Sequence, residues 1–172
     1  MNTKENILNR RSIRKFKNEA VDQSLIDQII EAGLYAPSAR GSQSSIIIQI
    51  KDEKVKEELK KLNASIMSAD IDPFYGAPVI LIVLSKKDWP PRVYDGSCTM
   101  ENMMLMANDL GLGSVWIHRA KEEFETEEGK ELLKEWNISD NYVGIGHCIL
   151  GYIDGNLSVP KPRKEDYITI IK

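Results

Sequence analysis

At 172 residues, 42% hydrophobic and 28% charged, the chain is long enough to bury a core of its own, and one domain or a domain with an arm is expected. Its 23 Lys and Arg against 26 Asp and Glu give a net charge of −3, too even a balance for a nucleic-acid binder. No apolar run approaches the roughly 18 residues that span a bilayer, and no basic-then-apolar leader opens the sequence, so no membrane partner and a cytoplasmic location are expected.

The first feature along the chain is a basic segment, Asn9-Arg10-Arg11-Ser12-Ile13-Arg14-Lys15-Phe16. Guanidinium groups, a hydroxyl and backbone amides beside a helix are the donors a phosphate needs, and Arg binds such an anion bidentately where Lys cannot. Ile13 and Phe16 sit among these charges at spacings that tie the segment to a core. Leu25, Ile26, Ile29, Ile30 and Leu34 then form an apolar stripe at helical spacing, capped by Asp22 or Ser24 and ended between Gly33 and Pro37. Ile46 to Ile50 reads as a strand and Asp52 to Leu62 as a charged surface helix. Pro78 to Leu84 is continuously apolar, as in a strand covered on both faces.

Met100, Met103, Met104, Ala107 and Leu110 recur at helical spacing, with Gly111 placed to end the helix. Thioethers fill irregular gaps between a helix and a sheet, so this stripe reads as core. Gly111-Leu112-Gly113-Ser114-Val115-Trp116-Ile117 leads into another strand. It is not GxGxxG and no GKS or GKT follows, which supports neither a dinucleotide-binding fold nor a P-loop. Residues 120–135 carry seven Glu against three Lys and read as a solvated helix face, and Val143 to Ile153 supplies a last central strand. A second basic cluster, Pro160-Lys161-Pro162-Arg163-Lys164, precedes the β-prone tail Tyr167 to Ile171, which suits an arm that pairs with a partner chain.

Other chemistries find little equipment here. Cys98 and Cys148 stand in apolar contexts without a CxxC and read as buried thiols; His118 and His147 are too few for a metal cluster, and no metal is expected. His147 lies in an apolar stretch and reads as a structural histidine. There is no GxSxG and no base cued to Cys98. An anion cradle with small-residue turns and few acids or bases suits an organic cofactor that carries the reaction while the protein holds and tunes it.

Taken in order, Arg10 to Phe16, then Ala36-Pro37-Ser38-Ala39, Ala77-Pro78 before an apolar strand, Gly111 to Ile117, and Lys161-Pro162-Arg163, the chain resembles the FMN-dependent nitroreductase family over nearly its whole length. The resemblance implies an α+β fold with a mostly antiparallel central sheet flanked by helices, in an intertwined homodimer with two FMN sites at the interface. It implies a single FMN-binding domain over residues 1–163 and an exchanged arm over 164–172. By position, Arg10, Arg11 and Ser12 would hold the FMN phosphate with Lys161 and Arg163, and Arg14 would reach the pyrimidine edge of the flavin. Pro37, Ser38, Ala39 and Gln43 would come from the other subunit, Gly113, Ser114 and Trp116 would line the site, and a backbone N–H of His118 or Arg119 would lie near flavin N5.

Relatives continue Pro-Ser-x-x-Asn-x-Gln-Pro-Trp, whereas this chain reads Pro37-Ser38-Ala39-Arg40-Gly41-Ser42-Gln43-Ser44-Ser45 and lacks the Asn, the second Pro and the Trp. With no segment for a helical lid, an open pocket, or one completed by another protein, is expected. The reading is an NAD(P)H-dependent reductase of a nitroaromatic, quinone or similar acceptor. The alternatives are a dehalogenase-like or flavin-fragmenting FMN enzyme of the same fold, and a non-catalytic FMN-binding or regulatory module.

Overall fold

The computed structural model describes residues 1–171; Lys172, the last residue of the expected arm, lies outside the described residues. The elements run α1 (Thr3–Asn9), α2 (Gln23–Leu34), β1 (Ser45–Ile50), α3 (Glu53–Ile66), β2 (Val79–Lys86), α4 (Arg92–Asp109), β3 (Gly113–Ile117), α5 (Ala120–Glu125), α6 (Glu127–Glu135) and β4 (Tyr142–Gly151). A short 3-10 turn, Ala39–Gly41, interrupts the path from α2 to β1.

The four strands form one sheet in the order β1-β2-β4-β3, and every neighbouring pair is antiparallel. This is the α+β architecture expected from the resemblance. β2 is buried over seven of its eight residues because both faces are covered. Alternate side chains divide between two cores. Leu81, Val83 and Cys148 face α2 and α4 with Met100, Met103 and Met104. Ile80, Ile82, Leu84, Val115 and Ile117 face Leu59 of α3, Phe124 of α5 and Leu132 and Leu133 of α6. The methionine stripe is therefore core, filling the gap between α4 and the sheet.

The helix starts follow local chemistry. Asp22 accepts from Ser24 N–H at 2.8 Å, and Asp52 accepts from Lys54 N–H at 2.7 Å, so each carboxylate satisfies an amide that the first turn leaves free. α4 begins at Arg92, two turns before the methionine stripe, because Asp95, Gly96 and Thr99 occupy its buried face and give no apolar period. It ends where Gly111 turns with φ 78° and Leu112 N–H donates to Ala107 O at 2.8 Å.

Three sequence expectations change. Residues 120–135 form two helices, not one solvated face, because Thr126 breaks the path: its hydroxyl accepts from Gly129 N–H at 2.9 Å and starts α6. Within α5, Glu123 is wholly buried. Cys98 is only half-buried, since it lies at the edge of α4's inward face. Cys148 is buried as expected, and burial, the largest influence, pushes its thiol up to about 12 against a smaller opposing pull from Arg10.

Candidate functional site: a basic segment seated on the edge strand

The segment Arg10 to Phe16 runs along β3, the edge strand of the sheet. Ser12 bridges to Ser114 in parallel, Ile13 N–H donates to Ser114 O at 3.0 Å, and Phe16 bridges to Ile153. Two glycines opposite each other on β3 and β4 make this approach possible. A Cβ at Gly113 would lie 2.8 Å from Ile13, and one at Gly151 would lie 3.2 Å from Phe16. The two apolar anchors inferred among the charges thus sit against residues without side chains, which seats the backbone that carries Arg14 between them and Arg10 and Arg11 just before them.

Arg10 projects toward α4. Its Nε stands 3.9 Å from Glu101 Oε1, and its Nη1 is buried with no hydrogen-bond partner among the described residues. Ser114 Oγ and Trp116 Nε1 are likewise buried and unpartnered. Ser114 and Trp116 alternate with the core residues Val115 and Ile117, so both face the α4 side of the sheet. Buried donors left without an acceptor are costly, each by about 1–3 kcal/mol. A guanidinium N–H and a hydroxyl in that condition fit an anionic oxygen ligand such as a phosphate.

The remaining predicted residues divide by place. Arg11 caps its own neighbourhood, with Nη1 donating to Leu8 O at 2.8 Å and Nε donating to Ser158 O at 3.2 Å. That second bond, with Lys17 N–H donating to Tyr152 O and Asp154 N–H donating to Lys15 O, brings the segment after β4 alongside the basic segment. Lys161 and Arg163 follow a few residues later on exposed chain; Arg163 Nη1 donates to Lys161 O at 3.5 Å. Arg14 is exposed. After β3 the chain turns through exposed His118 and half-buried Arg119, whose φ is 78°; among the described residues neither backbone N–H donates a hydrogen bond.

Pro37, Ser38, Ala39 and Gln43 lie elsewhere, at the first turn of α4. Asp95 gathers this loop: its carboxylate accepts from Ala39 N–H at 2.9 Å, Trp89 Nε1 at 2.8 Å, Ser44 Oγ at 3.0 Å and Ser42 Oγ at 3.2 Å. Gln43 N–H donates to Ser38 Oγ at 3.0 Å. A cavity of about 210 Å³ opens here, lined by Ser38, Gln43, Ser44, Asp95 and Thr99 among others. Burial, the largest influence, raises the Asp95 carboxyl, but the four hydrogen bonds together outweigh it and hold it below its ordinary value of 3.8. Sequence reading missed Asp95, Trp89 and Glu101. Asp95 could have been found as the lone acid on the inward face of α4, one turn before Thr99.

Among the described residues no group of three or more His, Cys, Asp or Glu is placed to hold a metal ion, and no helix is long and apolar enough to cross a membrane.

The model of the Nitroreductase family matches residues 7–152. A relative from Archaeoglobus fulgidus, provisionally named an NADH dehydrogenase/NAD(P)H nitroreductase, is 32% identical over 164 residues, covering 94% of this chain and 87% of its own. A crystal structure of a nitroreductase with bound FMN from Bacteroides fragilis superposes with a TM-score of 0.90 at 27% identity, covering 100% of both chains. Another nitroreductase with bound FMN, from Desulfitobacterium hafniense, shares the fold with a TM-score of 0.88 at 24% identity. With a matching architecture, a family model that covers most of its length and relatives aligned nearly end to end, this chain belongs to the nitroreductase family.

Proposed function

We propose that the protein is an FMN-dependent oxidoreductase that passes reducing equivalents from NAD(P)H to a small oxidised acceptor of the nitroaromatic or quinone kind. The observation that carries this reading is two buried donors without a partner among the described residues, Arg10 Nη1 beside α4 and Ser114 Oγ on the α4 side of the edge strand. They support a built anion site. The FMN-bound relative aligned over the full chain supports FMN as its occupant.

When bound, FMN supplies two-electron chemistry at ring atom N5. The protein's part is to bind, orient and tune. Arg10, Ser12 and Ser114 would hold the phosphate, with Lys161 and Arg163 closing over it from the segment that Arg11 ties down through Ser158 O. Arg14, exposed and four residues beyond Arg10, would place positive charge beside the pyrimidine edge and favour the reduced, more negative ring. The free N–H groups at His118 and Arg119 would lie against N5. Pro37 to Gln43, gathered by Asp95 at a separate place on α4, would complete the site of a second subunit, and the exposed apolar tail would embrace that subunit.

The test is flavin retention. Arg10→Ala with Arg163→Ala should strip FMN, since each charged hydrogen bond contributes roughly 1.5–3 kcal/mol. Full flavin occupancy in the folded double variant, measured by absorbance against protein concentration, would show that the phosphate lies elsewhere.

A further inference from the structure

The face of the sheet away from α4 holds a polar cluster that the anion site does not use. His147 of β4 and Glu123 of α5 are both wholly buried, with His147 Nε2 2.8 Å from Glu123 Oε2 but without the alignment of a hydrogen bond. Phe74 covers the imidazole at a ring separation of 5.2 Å. Glu123 Oε1 accepts from Asn63 Nδ2 of α3, which is also wholly buried. The same Nδ2 donates to His118 O at 3.0 Å, and Asn63 Oδ1 accepts from Arg119 Nε at 3.0 Å.

A carboxylate, an imidazole and a carboxamide are costly to take out of water, and apolar residues of similar volume often serve stability as well or better. Stability alone therefore gives no reason for three such groups, from three elements, to meet here. What they meet at is the turn after β3. Arg119 holds φ 78°, a left-handed conformation that a residue with a side chain keeps only when its surroundings impose it. Asn63 holds the turn from both ends of its amide, through His118 O and the Arg119 side chain. Reversing that amide would set Oδ1 against the Glu123 carboxylate and the His118 carbonyl, so the carboxylate selects the orientation in which Oδ1 is free to accept from Arg119.

We propose that Glu123 is a positioning residue: its carboxylate orients Asn63, and Asn63 fixes the His118–Arg119 turn. This deepens the reading of that turn as the neighbour of flavin N5 and rests on it for its consequence, while the positioning itself is measurable without flavin.

The experiment compares Glu123→Leu with Glu123→Gln, which keeps an oxygen for Asn63. In the apo-protein the intraresidue HN–Hα cross-relaxation of Arg119, strong only where positive φ brings the two protons close, should show that φ leaves the left-handed region in Glu123→Leu and keeps it in Glu123→Gln. In the FMN-loaded protein the ratio of affinities for reduced and oxidised flavin should change about tenfold in Glu123→Leu, equivalent to about 30 mV for a two-electron couple. Should Glu123→Leu not fold, Glu123→Ala, which likewise takes the carboxylate away from Asn63, is measured in its place. An unchanged Arg119 φ in the folded variant overturns the proposal. A changed φ with an unchanged flavin potential upholds the positioning and instead removes the turn from the flavin.

Discussion

Asp95 shows how one buried carboxylate can organise a loop that has no regular structure. Four donors from Ala39, Ser42, Ser44 and Trp89 converge on it, and truncating it would leave them buried or force the loop open. Asp95→Ala should therefore cost roughly 3 kcal/mol in urea unfolding. The effect has a defined pH dependence. Because the folded carboxyl lies below its ordinary 3.8, its stabilising contribution is complete above that value and is lost as pH falls through the lower folded value. The stability gap between the wild type and Asp95→Asn should hold steady from pH 7 to about 5 and narrow only below pH 4; a gap that widens with acid would contradict the assignment. Such residues are hard to read from sequence. Arg10, Arg11 and Ser12 announce themselves as a run, whereas Asp95, Asn63 and Glu123 are single polar residues in helical patterns. Glu123 carries a faint signal: with Ala120 and Phe124 it occupies the i, i+3, i+4 positions of α5's buried face.

Secondary elements with a strong period were legible, and their ends were less so. The stripe of α2 through Ile30, the apolar run of β2 and the glycine stop of α4 match the structure, since burial on a fixed face demands those patterns, whereas Leu34 at the end of α2 is exposed. The start of α4 and the break between α5 and α6 were not legible, because one rests on buried polar residues and the other on a single threonine cap. The seating of the basic segment on β3 is an element-scale feature that makes a sharp prediction. Gly113→Val would drive side-chain atoms into Ile13. Overpacking of this kind costs about 1–3 kcal/mol, and here the yielding part is the segment from Arg10 to Phe16 and not the paired strand. FMN affinity should fall at least tenfold while the circular dichroism spectrum stays native; flavin titration that gives an unchanged Kd would show that the segment is not seated through Ile13.

At the scale of the whole molecule, the chain displays apolar surface that one copy does not cover. Ile168, Ile170 and Ile171 are 80%, 76% and 88% exposed in the tail, and Tyr35 and Tyr94 are similarly open. Among the described residues the tail forms no strand within the chain, and we propose that residues 164–172 are an arm that pairs with a second subunit. Deleting those residues should loosen the dimer and lower FMN retention together, because a site shared between subunits depends on their association; sedimentation that finds a stable, flavin-loaded monomer would refute the arm. The central claim, that this fold holds FMN and reduces it with NAD(P)H, is tested most directly by the visible spectrum of the purified protein before and after anaerobic addition of NADH or NADPH. The account predicts a yellow protein whose flavin absorbance bleaches within the mixing experiment and returns when an oxidised acceptor is added; a colourless protein, or bound flavin that neither nicotinamide bleaches, would contradict it.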